Sequence, residues 1–261
     1  MQHHEDTLAA YVESVRHLPE TLGVVLVGSL CRGTERPDSD VDVYRVITDE
    51  AFAVADATER LSYSVRELST YDGGYVDIKE TSPSYLAAAI EMGDEPTRAS
   101  FVGARVAYSA LADLEQTVAA IPVLSDEQWH EREMSFITQM RLYWRYFLKQ
   151  GEKLDDVYLL HWAAVHGVNA ASRALLAHGR ILFRGAKYSR TLLADLPDLP
   201  DGFLEKTADL LTAPTFDKGA EIMATIEAFK DWGIPNEQSL SRFIRDNELA
   251  WLKGTLPPEA M

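Results

Sequence analysis

Residues 28–43 read GSLCRGTERPDSDVDV. The stretch starts where a short apolar run, LGVVLV (22–27), stops at Gly-Ser, and it finishes inside DVDVYRVI (40–47). The apolar run has the length and β-branched content of a buried strand. The second run alternates at period two, with Val41, Val43 and Arg45 on one face and Asp40, Asp42 and Tyr44 on the other. Gly28 allows close approach of backbone to a ligand, and Ser29 adds a hydroxyl and an N–H at the start of a short helix that would aim donors at a phosphate. Asp40 and Asp42 then lie roughly 6.5 Å apart along one strand face, a spacing at which two carboxylates can share divalent ions. A third acid from a neighbouring strand would complete a two-metal site. Asp77, in GYVDIKE (74–80), is the natural third acid, with Tyr75 on its face; alternation puts its rival Glu80 on the opposite face.

Working outward, residues 5–18 carry apolar positions at helical spacing, and 61–68 with 74–79 form a second strand pair joined through STYDGG. Residues 84–92 read as helix and 104–108 as a short strand. Strand signals stop near Leu111. From there, 125–150 is one long helical pattern opened by a Ser125/Gln128 capping box and closed by Gly151; a second runs over 153–178 to Gly179. Helical segments at 189–196, 201–212, 216–231 and 239–252 follow, and the tail 255–261 is expected to fray. The expected fold is α+β: a small mixed sheet with flanking helices over 1–110, then an all-helical bundle over 111–261.

The 261 residues hold 25 Lys and Arg against 41 Asp and Glu, a formal charge of −16. Such a surface repels nucleic-acid phosphates, so a nucleic-acid partner is disfavoured. No apolar run approaches the ~18 residues of a membrane span, and the acidic, amphipathic start lacks the pattern of a secretory signal. The single cysteine, Cys31, excludes an internal disulfide framework and a multi-cysteine zinc site, and cytoplasmic localisation is the default expectation.

Gly-Ser, then ten residues, then Asp-x-Asp in an apolar strand, then one Asp on a later strand resembles the nucleotidyltransferase superfamily typified by DNA polymerase beta. RGTERPDSDVD (32–42) is similar to the corresponding stretch of its small bacterial members. The resemblance implies a polymerase-beta-like catalytic domain over 1–110. In it Gly28 and Ser29 would grip a triphosphate, and Asp40 and Asp42 would hold Mg2+. Asp77 would hold a second metal ion or help deprotonate the acceptor hydroxyl. A nucleoside monophosphate, with ATP the first expectation as donor, would pass to a hydroxyl with release of pyrophosphate. The helical second half resembles the aminoglycoside- and lincosamide-type antibiotic nucleotidyltransferases, which implies a small-molecule acceptor. Toxin-like nucleotidylation of a protein or tRNA, and a non-catalytic nucleotide-binding module, stay open as alternatives. So does a homodimer.

Other residues carry less. Arg32 and Arg36 flank the loop and are both candidates for phosphate contact. LFRGAKYSR (182–190) is a basic loop in an acidic chain; since related enzymes supply a lysine or tyrosine from the helical domain to the nucleotide, Lys187 and Tyr188 are the candidates there. Glu131, Glu133, Asp155 and Asp156 are acids that a general base or a cationic acceptor could use. The run Tyr143, Trp144, Tyr146, Phe147 covers more than one face of its helix and reads chiefly as core.

Overall fold

A computed structural model describes residues 1–258. Residues 259–261, the end of the tail expected to fray, lie outside the described residues. The chain divides into two compact units, Met1–Val123 and Leu124–Met261.

The first unit runs α1 (Gln2–Val15), β1 (Thr21–Leu26), α2 (Gly28–Arg32), β2 (Val41–Ile47), α3 (Asp49–Ala57), β3 (Ser62–Val65), β4 (Val76–Thr81), α4 (Pro83–Met92), α5 (Glu95–Ser100), β5 (Arg105–Ser109) and α6 (Leu114–Ala120). The five strands form one sheet in the order β3-β4-β2-β1-β5. Only β2 and β4 pair in parallel; the other pairs are antiparallel. The alternation read from the sequence sets both faces. Val24, Leu26, Val41, Val43, Val76 and Ile78 pack under α1 through Leu8, Tyr11 and Val15. On the other face Val25, Val27, Tyr44 and Val46 pack against Leu86, Ala89, Phe101, Leu114, Val118 and Ile121. Leu114, Val118 and Ile121 recur at helical spacing, so α6 is a lid on this face, and the compact unit extends past residue 110 to Val123.

Arg45 and Glu80 face α1, the side opposite Asp42 and Asp77. The Arg45 guanidinium donates to Glu80 at 3.1 Å, to Glu20 at 2.9 Å and to the Thr21 hydroxyl, and the Tyr63 hydroxyl donates to Glu80 at 3.0 Å. These bonds satisfy an arginine and a carboxylate that burial would otherwise make costly. Glu80 is therefore a structural partner.

The second unit is helical: α7 (Asp126–Leu142), a π-helical segment (Tyr143–Leu148), α8 (Lys149–Leu154), α9 (Val157–His178), α10 (Ser189–Ala194), α11 (Phe203–Thr212), α12 (Phe216–Phe229) and α13 (Ser239–Phe243), with short 3-10 and π turns between and after them. The Ser125/Gln128 capping box forms as expected. The long helix expected over 125–150 also forms, from Asp126 to Leu154, but it is not α-helical throughout. The aromatic run widens it into the π segment, which buries Tyr143, Trp144 and Leu148 and leaves Tyr146 exposed. Gly151 does not end the helix; it is buried inside α8, against the start of α9. The last helix also ends early, with π and 3-10 turns replacing it after Phe243.

Gly167 and the Trp144 indole fill one space. A methyl group on Gly167 would lie 2.0 Å from Trp144 Nε1, and Trp144 is fully buried. Gly167→Ala is expected to destabilise the protein by on the order of 3 kcal/mol, because a packed aromatic has no room to retreat. Chemical denaturation checks this; an unchanged midpoint would contradict it.

Candidate active site

β1 stops at Leu26, and the Val27 N–H still donates to the Asp42 carbonyl at 3.0 Å. The chain then turns through Gly28 at φ +77° into α2, a helix of five residues. This places Gly28 directly over Asp42. A methyl group on Gly28 would lie 1.9 Å from Asp42 Oδ2 and 2.7 Å from its Cγ. The glycine is thus required twice, by a left-handed backbone and by the carboxylate beside it. Ser29 follows in the first turn of α2, half-buried. Gly33, also left-handed, ends the helix, and Ser39 accepts from the Arg36 N–H at 2.9 Å to turn the loop back.

Asp42 and Asp77 are direct register partners across the parallel β2–β4 pair. Parallel neighbours lie about 4.8 Å apart, so both side chains leave the same face side by side. Asp40 comes just before β2, where the Val41 N–H donates to the Tyr75 carbonyl at 3.0 Å. Tyr71 donates from its hydroxyl to the Ser39 carbonyl, which fixes the turn leading into Asp40.

The electrostatics follow from this grouping. Burial, and after it the charges of Asp40 and Asp77, push the Asp42 carboxyl up to about 6, while Lys79 and Arg32 oppose the shift. Asp77 is also raised, chiefly by burial, with Lys79 opposing and Asp40 adding to it. Carboxylates that raise one another's proton affinity in this way favour a cation among them. Their oxygen donors suit a hard divalent ion, and Mg2+ typically takes one or two protein carboxylates together with substrate phosphates. Among the described residues no three His, Cys, Asp or Glu side chains are grouped closely enough to hold a metal ion by themselves. The donor set fits an ion shared with a ligand's phosphates.

The other expected residues have these local surroundings. Arg36 is exposed and its Nε donates to Asp38 at 3.0 Å, a pair of the solvated kind. In the second unit, Gly185 at φ +103° opens a 3-10 turn, Ala186–Tyr188. There the Arg184 guanidinium lies 4.1 Å and the Lys187 ammonium 5.3 Å from the Tyr188 ring centre. Glu133 is held by Lys230 at 2.7 Å, Glu131 by Arg242 and Arg245, and Asp156 caps α9. Cys31 packs as a half-buried thiol, donates to the Leu26 carbonyl and is pushed up by burial. The His166 ring lies tilted against those of Tyr143 and Trp162.

Lys79 was not among the residues expected at the site. It shares the face of Asp77 by strand parity, and the Asp-x-Lys alternation in VDIK (76–79) is the signal that marks it.

Among the described residues no helix is long and apolar enough to cross a membrane. No curated protein matches the chain. The crystal structure of a nucleotidyltransferase-like protein from Exiguobacterium sibiricum is similar at 12% identity and a TM-score of 0.48, over 93% of this chain and 77% of that one. Residues 8–85 match the nucleotidyltransferase domain family, a span that holds Gly28, Ser29, Asp40, Asp42 and Asp77. Residues 8–85, within the first unit, therefore carry a nucleotidyltransferase domain.

Proposed function

We propose that this enzyme moves a nucleoside monophosphate, AMP from ATP in the first instance, onto a hydroxyl of a small molecule and releases pyrophosphate. The observation that carries the reading is the Asp42–Asp77 rung beneath Gly28: two carboxylates in direct register, on the face where the backbone is stripped of a side chain. In the reaction the acceptor oxygen bonds to the α-phosphorus, the α–β bridging P–O bond breaks, and its electrons leave with pyrophosphate. Asp40 and Asp42 would hold a divalent metal ion, and Asp77 would hold a second ion or take the hydroxyl proton. Bound Mg2+ supplies charge neutralisation on the phosphates and polarises the phosphoryl centre. Gly28 and Ser29 bring backbone to the triphosphate, and positioning supplies much of the remaining acceleration. The family in general uses a nucleoside triphosphate with a divalent metal.

The acceptor reading rests on charge. An excess of acid that leaves the chain at −16 disfavours a nucleic-acid acceptor and is compatible with a polycationic aminoglycoside; a lincosamide is the second antibiotic class to try. A single cysteine is consistent with work in the cytoplasm. The test is pyrophosphate release from each of the four ribonucleoside triphosphates with Mg2+, against a panel of aminoglycosides and lincosamides. Release that depends on one acceptor supports the proposal; release with none of them turns the search to other hydroxyl compounds or to protein acceptors.

Lys187 and Tyr188 are proposed as the nucleotide contacts supplied by the second unit. Lys187→Ala is expected to weaken triphosphate binding about tenfold and leave acceptor binding unchanged, the loss of one charge-assisted contact. Titration of both ligands checks this. Unaltered triphosphate affinity would leave the loop with a structural role.

A further inference from the structure

The carboxylate face of the sheet carries one cation that the reaction above does not use. Asp42 pairs with Asp77, and two residues on, Tyr44 pairs with Lys79, so the two rungs succeed each other on one face about 6.5 Å apart. On the second rung Tyr44 is buried, stacked on Phe101 with ring centres 4.8 Å apart and bonded to the Ser100 hydroxyl. Its partner Lys79 is exposed. Among the described residues, Lys79 makes no hydrogen bond and no ion pair, although two carboxylates stand one rung away. By strand parity Lys79 leaves the sheet on the same face as Asp77, one rung along from the Asp42–Asp77 pair.

A ligand arriving here has an electrostatic difficulty. A nucleoside triphosphate is polyanionic, the face presents three carboxylates, and the chain as a whole carries −16. Divalent ions offset part of the repulsion; an unpaired ammonium on the same face offsets more, and offsets it where the phosphates lie. A lysine stem is flexible enough to follow the phosphates from substrate to leaving group.

We propose that Lys79 is a triphosphate-binding residue: from the rung next to Asp42 and Asp77, its ammonium contacts the β- and γ-phosphate oxygens of the donor nucleotide and stays with pyrophosphate as it departs. The inference rests on the nucleotidyltransferase reading of the same site.

The test compares wild type with Lys79→Met and Lys79→Arg, titrated with ATP, GTP, CTP and UTP in the presence of Ca2+, and with the matching monophosphates. Lys79→Met is expected to weaken the preferred triphosphate about tenfold or more and the monophosphate less than about twofold. Lys79→Arg is expected to recover most of the triphosphate affinity. In turnover, KM for the triphosphate is expected to rise more than kcat falls. A lysine that merely neutralises the carboxylates predicts otherwise: triphosphate affinity in Lys79→Met within about twofold of wild type, or equal losses for triphosphate and monophosphate. Either result overturns the assignment while wild type still binds triphosphate. If wild type binds none of the four with Ca2+ or Mg2+, the nucleotidyltransferase reading falls, and the role of Lys79 with it.

Discussion

Asp42→Asn is expected to abolish nucleotidyl transfer and, at the same time, to stabilise the metal-free protein. The first effect follows from the loss of a charged oxygen donor to the ion: several kcal/mol of transition-state stabilisation corresponds to a fall on the order of 10³-fold. The second follows from linkage. Asp42 is pushed up to about 6 by burial and by Asp40 and Asp77. An unfolded aspartate titrates near 3.9, so between about pH 4 and pH 6 the folded chain binds more protons than the unfolded one. Stability in chelator therefore falls as pH rises through that window and stays lower above it. Asparagine keeps the volume and removes the charge. At pH 7.5 the gain is expected to be on the order of 1–2 kcal/mol, after allowance for the part of Asp42 that water reaches. Thermal unfolding of both proteins in chelator, from pH 4.5 to 8, checks this. The two curves are expected to diverge as pH rises. A variant less stable than wild type at pH 7.5 would contradict the electrostatic account, and retained turnover would contradict the metal-ligand assignment.

Gly28→Ala is expected to damage the same site from the other side. The added methyl would meet Asp42 Oδ2 at 1.9 Å and its Cβ at 2.8 Å, and the residue sits at φ +77°. Rotation can move the oxygen, but the Asp42 Cβ is anchored in β2, so backbone must shift. Overpacking with left-handed strain is expected to cost on the order of 2–4 kcal/mol. Transfer is expected to fall by about 10²-fold or more, because the displaced group is the proposed metal ligand. The two predictions are coupled. In an Asp42→Gly background the methyl has space, so the stability cost of Gly28→Ala is expected to shrink by more than half. Additive costs would show that the two residues do not share this space.

Much of the site was legible because strand parity is a strict rule. Alternation in DVDVYRVI put Asp40, Asp42 and Tyr44 on one face and Arg45 on the other, and the sheet keeps that division. The same rule separated Asp77 from Glu80. What parity cannot supply is register. That Asp42 faces Asp77 directly depends on β4 pairing in parallel with β2 while β3 goes to the edge, and this is a property of the whole sheet. Lys79 was equally visible by parity, yet an exposed strand lysine reads as a solvated face until its acidic neighbours across the rung are known.

The remaining differences share a cause: local patterns were read without their tertiary partners. The end of strand signals near Leu111 suggested a boundary, whereas Leu114, Val118 and Ile121 belong to the sheet they cover. Gly151 read as a helix stop, but a glycine also serves where two helices meet closely, and here it meets α9. The crowded aromatics at 143–147 did carry information. A run that fits no single α-helical face is accommodated by the wider π turn.

The central claim is tested most directly by thermal unfolding of wild type and Asp42→Asn with ATP, GTP, CTP and UTP, each with and without Mg2+. A ligand specific to the folded state, present at 100 times its dissociation constant, adds about 2.7 kcal/mol, a shift of several degrees. The account predicts that at least one triphosphate stabilises wild type with Mg2+, and that omitting Mg2+ or substituting Asp42 removes the shift. Equal stabilisation of both proteins, or no shift for any nucleotide, would contradict it.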